Sequence, residues 1–425
     1  MTARLEPGDL HASLADPALT SMNLLNEVAG TYPDAISFAA GRPTEQFFDV
    51  DDVLTFVDAY RRHLEAECGY SSAEVNRVVL QYGRTKGVIH DLVAAHLAKD
   101  ENIDADTESI VVTVGAQEAM FLVLRALRAE PRDVLLAVSP TYVGITGAAR
   151  LLDMPVLPVR EGPDGIDLDD LVARIRAARA GGLRPRACYL IPDFANPSGM
   201  SLDASLRRRL LDIAEREDIL LLEDNPYGLF HGDAAREPTL KSLDTQRRVV
   251  YLGTFAKSVF PGVRVGYAVA DQLVGDGLLA DQLSKIKSML TVNTSPIAQA
   301  VVAGKLLSGD GGLAAATAPE RAVYAAGLRR IGAGLAARFG DGPVTWNTPA
   351  GGFFTVVTVP FVVDDALLEH SAREFGVIWT PMHHFYGGSG GHRQLRLASS
   401  AVGPEQIEDG LDRLRDLVFS RLSHS

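Results

Sequence analysis

The sequence predicts an α/β protein: a large, mostly parallel sheet layered between helices, joined to a smaller α+β domain. Three observations lead there. Short apolar runs between residues 109 and 270 are continuous rather than alternating, as in strands covered on both faces. Helical stripes separate them at the spacing of βα units. Beyond residue 307 the pattern gives way to an Ala-rich helix and a few isolated strand-like runs.

In chain order the runs are "SIVVTV" (109–114), "DVLLAVS" (133–139), "ACYLIP" (187–192), "ILLLED" (219–224), "VVYLG" (249–253) and "VRVGYAVA" (263–270). "DASLRRRLLDIAERED" (203–218) reads as a helix: Leu206, Leu210, Leu211 and Ile213 make one apolar stripe, and the arginine cluster opposite reads as solvated surface. The Ala-rich helix follows at about 318–339, then "GGFFTVVTVPF", "GVIWTP" and "QLRLASS". These later runs, completed by the N-terminal segment, make the smaller domain. The expected division is 46–305 for the large domain against 1–45 with 306–425.

With 425 residues, 47% apolar and 22% charged, the chain is long enough for two or three domains. Its 41 basic and 54 acidic residues give a net charge of -13, which argues against nucleic acid or an anionic membrane as partner and favours small molecules. Cys68 and Cys188 form no CxxC pair, so neither a disulfide framework nor a zinc knuckle is expected, and a reducing cytoplasm fits best. The N-terminus lacks an apolar signal core, and no stretch reaches the ~18 apolar residues of a membrane span.

In open α/β sheets ligands bind beyond the carboxyl ends of the strands, so the residues just after each run carry the chemistry. "VTVGAQEA" is a strand, a turn at Gly115 and a helix opening at about Ala116, whose free N–H groups suit a phosphate. The motif is not GxGxxG, and "GTFAKS" lacks the glycine of a Walker A loop. "GGSGG" (387–391) matches GxSxG, but leads into a strand where a nucleophile elbow needs a helix. His383, His384 and His392 lack helical HxxxH spacing, so no metal site is expected.

Six other residues follow or border strands: Tyr142, Asn196, Asp224, Tyr227, Lys257 and Arg264. Singly they read as turn formers, rim packing and solvated charge. Together they supply an amine nucleophile, a carboxylate, a ring to stack on, polar donors and a phosphate cradle. Pyridoxal 5'-phosphate uses all of these, because its aldehyde takes a lysine amine as a Schiff base and its pyridine nitrogen takes a carboxylate.

The motifs "LQYGRTKG", "VGAQEA", "SPTYVG", "PDFANPSG", "EDNPYG", "YLGTFAKSVFPGVRVGY" and "HRQLRLAS" resemble those of the fold type I, class I/II aminotransferases over nearly the whole chain. The nearest branch is that of the 2-aminoadipate, hydroxyphenylglycine and dihydroxyphenylglycine transaminases. The resemblance implies a seven-stranded, mostly parallel sheet in the large domain. It implies Lys257, Asp224 and Tyr227 as catalytic, with Lys257 also the Schiff-base residue. Gly115, Ala116, Gln117, Thr254 and Arg264 would hold the phosphate, Tyr142 would stack on the ring, and Asn196 and Tyr227 would reach its phenolic oxygen. Tyr82 would reach the phosphate of a neighbouring subunit, which makes the protein a homodimer with shared sites. Arg396, with Asn196, would grip the substrate α-carboxylate, and Gly41 and Arg42 would lie on the substrate side.

The reaction implied is transamination between an amino acid of specialised metabolism, arylglycine-type or related, and an oxo acid. Three departures qualify it: Ala256 stands where the family commonly has a serine, Phe194 and Ala195 precede the cofactor asparagine, and "ASSAVG" follows the carboxylate arginine. The alternative on the same cofactor is elimination, replacement or carbon–carbon bond formation at a β or γ carbon, with a substrate such as S-adenosylmethionine. The effector module of a DNA-binding regulator is set aside, because only about 40 residues precede the first family motif. The glycine-rich loop at 383–393 is a candidate lid.

Overall fold

The computed structural model describes residues 2, 4–16, 19, 27–232, 235–309, 311–387 and 390–423. Its main sheet contains β1 (Ile110–Thr113), β2 (Asp133–Ser139), β3 (Val156–Gly162), β4 (Gly165–Ile166), β5 (Arg184–Leu190), β6 (Leu220–Asp224), β7 (Val249–Thr254) and β8 (Gly266–Val269). Their order across the sheet is β1-β8-β7-β6-β5-β2-β3-β4. The run from β7 through β6, β5 and β2 to β3 is parallel. β8 is antiparallel to both neighbours, β7 and β1. Eight strands therefore replace the seven expected. The additional one is the two-residue β4, which folds back on β3 at the sheet edge.

Strand direction decides where chemistry gathers. The carboxyl ends of β2, β5, β6 and β7 share one edge of the sheet, and two reversals through β8 bring the end of β1 to that edge as well. The start of β8, just after Arg264, lies there for the same reason.

The helices are α1 (Val50–Ala66), α2 (Ser72–Leu80), α3 (His90–Glu101), α4 (Gly115–Leu127), α5 (Val143–Leu151), α6 (Leu168–Ala180), α7 (Ala204–Arg216), α8 (Leu279–Leu290), α9 (Pro296–Leu307), α10 (Ala318–Phe339) and α11 (Pro404–Leu422). Because successive strand residues point to opposite faces, each central strand feeds two cores. Val111, Leu222, Val250 and Ala268 pack with Leu122, Ile145 and Leu283 of α4, α5 and α8. Ile110, Val112, Tyr251 and Val269 pack with Val93, Leu97 and Val302 of α3 and α9. Leu136, Cys188 and Leu221 pack on Ile175 of α6 and Leu210 of α7.

Helix α7 opens where Asp203 accepts from the Leu206 amide at 2.7 Å. Arg208 and Arg209 are exposed, as the sequence suggests, but Arg207 is fully buried. Its guanidinium donates to Asp193 at 2.5 Å and to the carbonyls of Pro192 and Leu202, so it ties α7 to the loop after β5. Helical periodicity puts Arg207 beside the Leu206 stripe, and only the tertiary position of Asp193 makes its burial tolerable.

A second sheet, ordered β9-β10-β12-β11, is antiparallel and consists of β9 (Thr345–Trp346), β10 (Phe354–Thr358), β11 (Thr380–Pro381) and β12 (Gln394–Ala398). Ile331 and Leu335 of α10 and Leu411 and Leu414 of α11 share a core with Ile36 and Phe38 from the N-terminal segment. Ile36–Ser37 runs parallel to Val377–Ile378, and the Ala398 amide donates to the Phe38 carbonyl. That pairing carries residues 39–42 across the functional edge of the main sheet. Among the described residues, no helix is long and apolar enough to cross a membrane.

Candidate active site

A cleft of about 380 Å³ opens at the carboxyl edge of the main sheet. It is lined by Gly41, Arg42, Ala116, Gln117, Tyr142, Asn196, Asp224, Tyr227, Thr254, Lys257, Arg264 and Arg396, all expected from the sequence. Gly115 sits directly behind the wall: a Cβ there would lie 2.4 Å from the Arg264 guanidinium, and its φ of +74° suits glycine.

Asp224 ends β6 and is 2% exposed. Its Oδ2 accepts from the Tyr189 hydroxyl at 2.6 Å, while Oδ1 is buried and has no partner among the described residues. The register pairing Tyr189 with Leu222 puts Tyr189, Leu222 and Asp224 on one face of the sheet, which explains the contact. Burial pushes the Asp224 carboxyl up to about 7, against the opposing effect of the tyrosine bond. An unsatisfied buried carboxylate oxygen facing a cleft calls for a donor, and a protonated pyridine nitrogen is one.

Lys257 lies three residues past β7, and its Nζ donates to the Gly41 carbonyl at 2.7 Å. Burial, reinforced by Arg264 and Arg396, lowers its amine to about 8. The amine thus reaches its neutral, nucleophilic form far more readily than an ordinary lysine.

The first turn of α4 offers the anion site. The residue before it, Val114, provides no side-chain cap, which leaves the helix's leading N–H groups open, and Ala116 and Gln117 of that turn line the cleft with Arg264. Gly266 allows this: a Cβ on it would stand 2.7 Å from the Ala116 nitrogen and 2.8 Å from the Gly253 carbonyl. The Thr254 hydroxyl accepts from the Ala256 amide at 3.2 Å, and Ala256 presents a methyl to the cleft where a serine would add a hydroxyl. Gln117 is turned to the Gly144 carbonyl at 2.8 Å. A phosphate fits this donor set.

Arg396, on β12, is 5% exposed. It donates to the Asn196 Oδ1 at 2.6 Å, the Ala39 carbonyl at 2.8 Å and the Thr380 hydroxyl at 3.2 Å, and its buried Nε has no partner among the described residues. The Phe354 and Phe385 rings lie 4.3 and 5.0 Å from the guanidinium carbon. Burial lowers the group to about 10, which still leaves it cationic at neutral pH. Lys257, Arg264 and Arg396 form no ion pair with a carboxylate among the described residues, so the cleft is prepared for anionic ligands.

Tyr227 packs edge-on against Phe353 and Phe354, with ring centroids 5.2 and 5.6 Å away. Its hydroxyl lies 3.5 Å from the Asn196 amide nitrogen, and burial raises its pKa above the ordinary phenol value. Tyr142, the residue before α5, is part-buried on the cleft wall. Arg42 stands at the rim, 3.8 Å from Glu45. Tyr82 lies outside this cleft and is 79% exposed. Ser389 of the GxSxG match lies outside the described residues.

Sequence reasoning missed Tyr189, Phe354, Phe385 and the Ala39 carbonyl. Tyr189 was signalled only as a polar residue inside an otherwise apolar run, and the other three reach the site through the small sheet.

A sequence model of the family described as aminotransferase class I and II matches residues 54–414. An (S)-3,5-dihydroxyphenylglycine transaminase of Amycolatopsis orientalis is 58% identical over 424 residues, spanning 99% of this chain and 96% of that protein. A 2-aminoadipate transaminase of Thermus thermophilus is 30% identical over 387 residues, 90% of this chain and 89% of that one. Among solved structures, a kynurenine aminotransferase of Pyrococcus horikoshii in complex with PMP superposes with a TM-score of 0.81 at 28% identity, over 97% and 96% of the two chains. These relatives are transaminases, and none lends support to elimination, replacement or carbon–carbon bond formation.

Proposed function

The chain belongs to the class I and II aminotransferase family, and from that premise we propose that it moves an amino group between an arylglycine-type amino acid and an oxo acid, using pyridoxal 5'-phosphate. The observation that carries the reading is the pairing, in one cleft, of Lys257 with the unpartnered buried oxygen of Asp224.

The cofactor, when bound, supplies an aldehyde that joins amines and a ring that draws electrons from the carbon bearing the amino group. Asp224 Oδ1 would accept the pyridine N–H and keep that proton in place. The leading amides of α4, with Arg264 and Thr254, would hold the phosphate, and the Tyr142 ring would cover the pyridine. Asn196 and Tyr227 are placed for the phenolic oxygen. Arg396 binds the α-carboxylate with the planar fork that suits a carboxylate, replacing an absent protein anion by a substrate one. Lys257 Nζ takes and returns the α-proton, a role suited to an amine lowered to about 8. Phe353, Phe354 and Phe385 exclude water around these charges.

The substrate reading rests on the remaining wall. Ala39, Ala40, Met120, Ile191 and Phe385 make this part of the wall apolar, and Arg42 at its rim is already beside Glu45. Such a wall suits an aryl side chain better than a second carboxylate. Residues 46–305 act as the cofactor-binding domain, against which 1–45 and 306–425 close. Tyr82 and the exposed apolar Val50, Leu54, Leu80, Met289 and Ile297 form the face on which a second copy completes a homodimer. A cytoplasmic location accords with two unpaired cysteines.

Offered (S)-3,5-dihydroxyphenylglycine and an oxo acid, the cofactor-loaded protein should release the corresponding aryl oxo acid, and Lys257→Ala should not. A wild-type protein that converts only aliphatic donors removes the arylglycine reading and leaves the transaminase one standing.

A further inference from the structure

A group of imidazoles lies apart from the cleft lining. The short helix Asp365–His370 begins beside the turn Met382–Phe385, and Asp365 Oδ1 lies 2.7 Å from His384 Nε2 and 3.7 Å from His383 Nε2. The two histidine rings are 4.1 Å apart, and the His392 ring stacks parallel on His383 with a 5.6 Å centroid separation. The ligand atoms of Asp365, His383 and His384 all fall within 4.8 Å of one another.

The arrangement is more than a surface ion pair. His384 and Asp365 satisfy each other, but His383 adds a second Nε2 toward the same oxygen and keeps its own buried Nδ1 without a hydrogen-bond partner among the described residues. Ligands about 2.1 Å from a tetrahedral ion stand roughly 3.4 Å apart, a value the 2.7 and 3.7 Å separations bracket. Imidazole nitrogens with one carboxylate match zinc-class ions, whereas magnesium and calcium take oxygen ligands. No HxxxH spacing announces the set, because its carboxylate comes from a helix start well ahead of the histidine pair in the chain.

We propose that Asp365, His383 and His384 bind a divalent zinc-class metal ion, with water in the open fourth position. Its place in the fold gives the ion a consequence. The turn it grips ends in Phe385, whose ring faces the Arg396 guanidinium and whose carbonyl accepts from the Thr141 amide at 2.9 Å. Binding pins the Asp365 helix to that turn and stiffens one wall of the cleft.

The test is titration of the untagged, cofactor-loaded protein with cobalt(II) chloride, read by its ligand-field absorption and followed by displacement with zinc chloride. The expected result is saturation at one ion per chain, lost in both Asp365→Asn and His384→Gln and kept in Cys68→Ser. Circular dichroism shows whether each variant is folded. No ligand-field band in wild type, or a band that survives in both folded variants, overturns the proposal. A band lost in Cys68→Ser does so too, because it assigns the ion to exposed Cys68 and His63, 3.8 Å apart.

Discussion

Asp224 contributes to the pH behaviour of the cofactor-free protein, alongside Glu161 and Glu223, which burial also raises to about 7. With a native pKa of about 7 against 3.8, the folded state holds a proton that the unfolded state releases. The stability this gives is fully present below the unfolded value and is lost as pH rises through about 7, a span worth about 4 kcal/mol. Asp224→Asn keeps an acceptor for Tyr189 and removes the charge. Cofactor-free Asp224→Asn is therefore expected to melt several degrees above wild type at pH 8 and to match it near pH 4, by calorimetry. At the phosphate, Ala256→Ser restores a hydroxyl that the cleft wall lacks. A hydrogen bond to a charged group contributes about 1.5 kcal/mol, so the cofactor should bind about tenfold tighter by equilibrium dialysis. Lys257, Asp224 and Asn196 were legible because strand-end residues of a parallel sheet converge whatever the details. Tyr189 was not, because its contact depends on register between β5 and β6. Phe385 depends on the packing of the small sheet, and Arg207 on a carboxylate from another loop.

Among the elements, α4 and β8 form the contact on which the proposed phosphate site rests. The three atoms nearest a Cβ on Gly266 all belong to backbone, which cannot rotate away as a side chain can, the nearest being 2.7 Å distant. Gly266→Ala must push the first turn of α4 off the sheet, at a cost of about 1–3 kcal/mol. The variant should lose cofactor affinity by tenfold or more, while Gly262→Ala, with nothing within 4 Å of its Cβ, should bind as wild type. Continuous apolar runs disclosed β1, β2, β5, β6, β7 and β8. β3 escaped because it lies near the sheet edge: Val159 is buried between exposed Pro158 and Arg160, and no continuous run forms. β4 is too short to leave any periodic signal, which is why the expected seven strands became eight. The "VRVGYAVA" run likewise shortens to Gly266–Val269, since Pro261–Val263 is a helical turn and Arg264 takes a left-handed φ of +50°.

At the scale of the molecule, α1, α2 and α9 pack together, with exposed Val50, Leu54, Leu80 and Ile297 on them and Tyr82 just beyond. An apolar face of this kind beside an unused tyrosine is what a second copy would cover. Light scattering should give twice the 45.6 kDa chain mass, and Leu54→Asp should shift the protein toward monomer and weaken cofactor retention. A monomeric wild type with full activity would remove Tyr82 from the site. The most direct measurement on Lys257 is the visible absorption spectrum of the cofactor-loaded protein, before and after an amino donor and then an oxo acid. Bleaching of the yellow form by the donor, recovery with the oxo acid, and loss of both in Lys257→Ala are the predicted result. A Lys257→Ala protein that still cycles at the wild-type rate, or a wild type that stays colourless after incubation with pyridoxal phosphate, would contradict it.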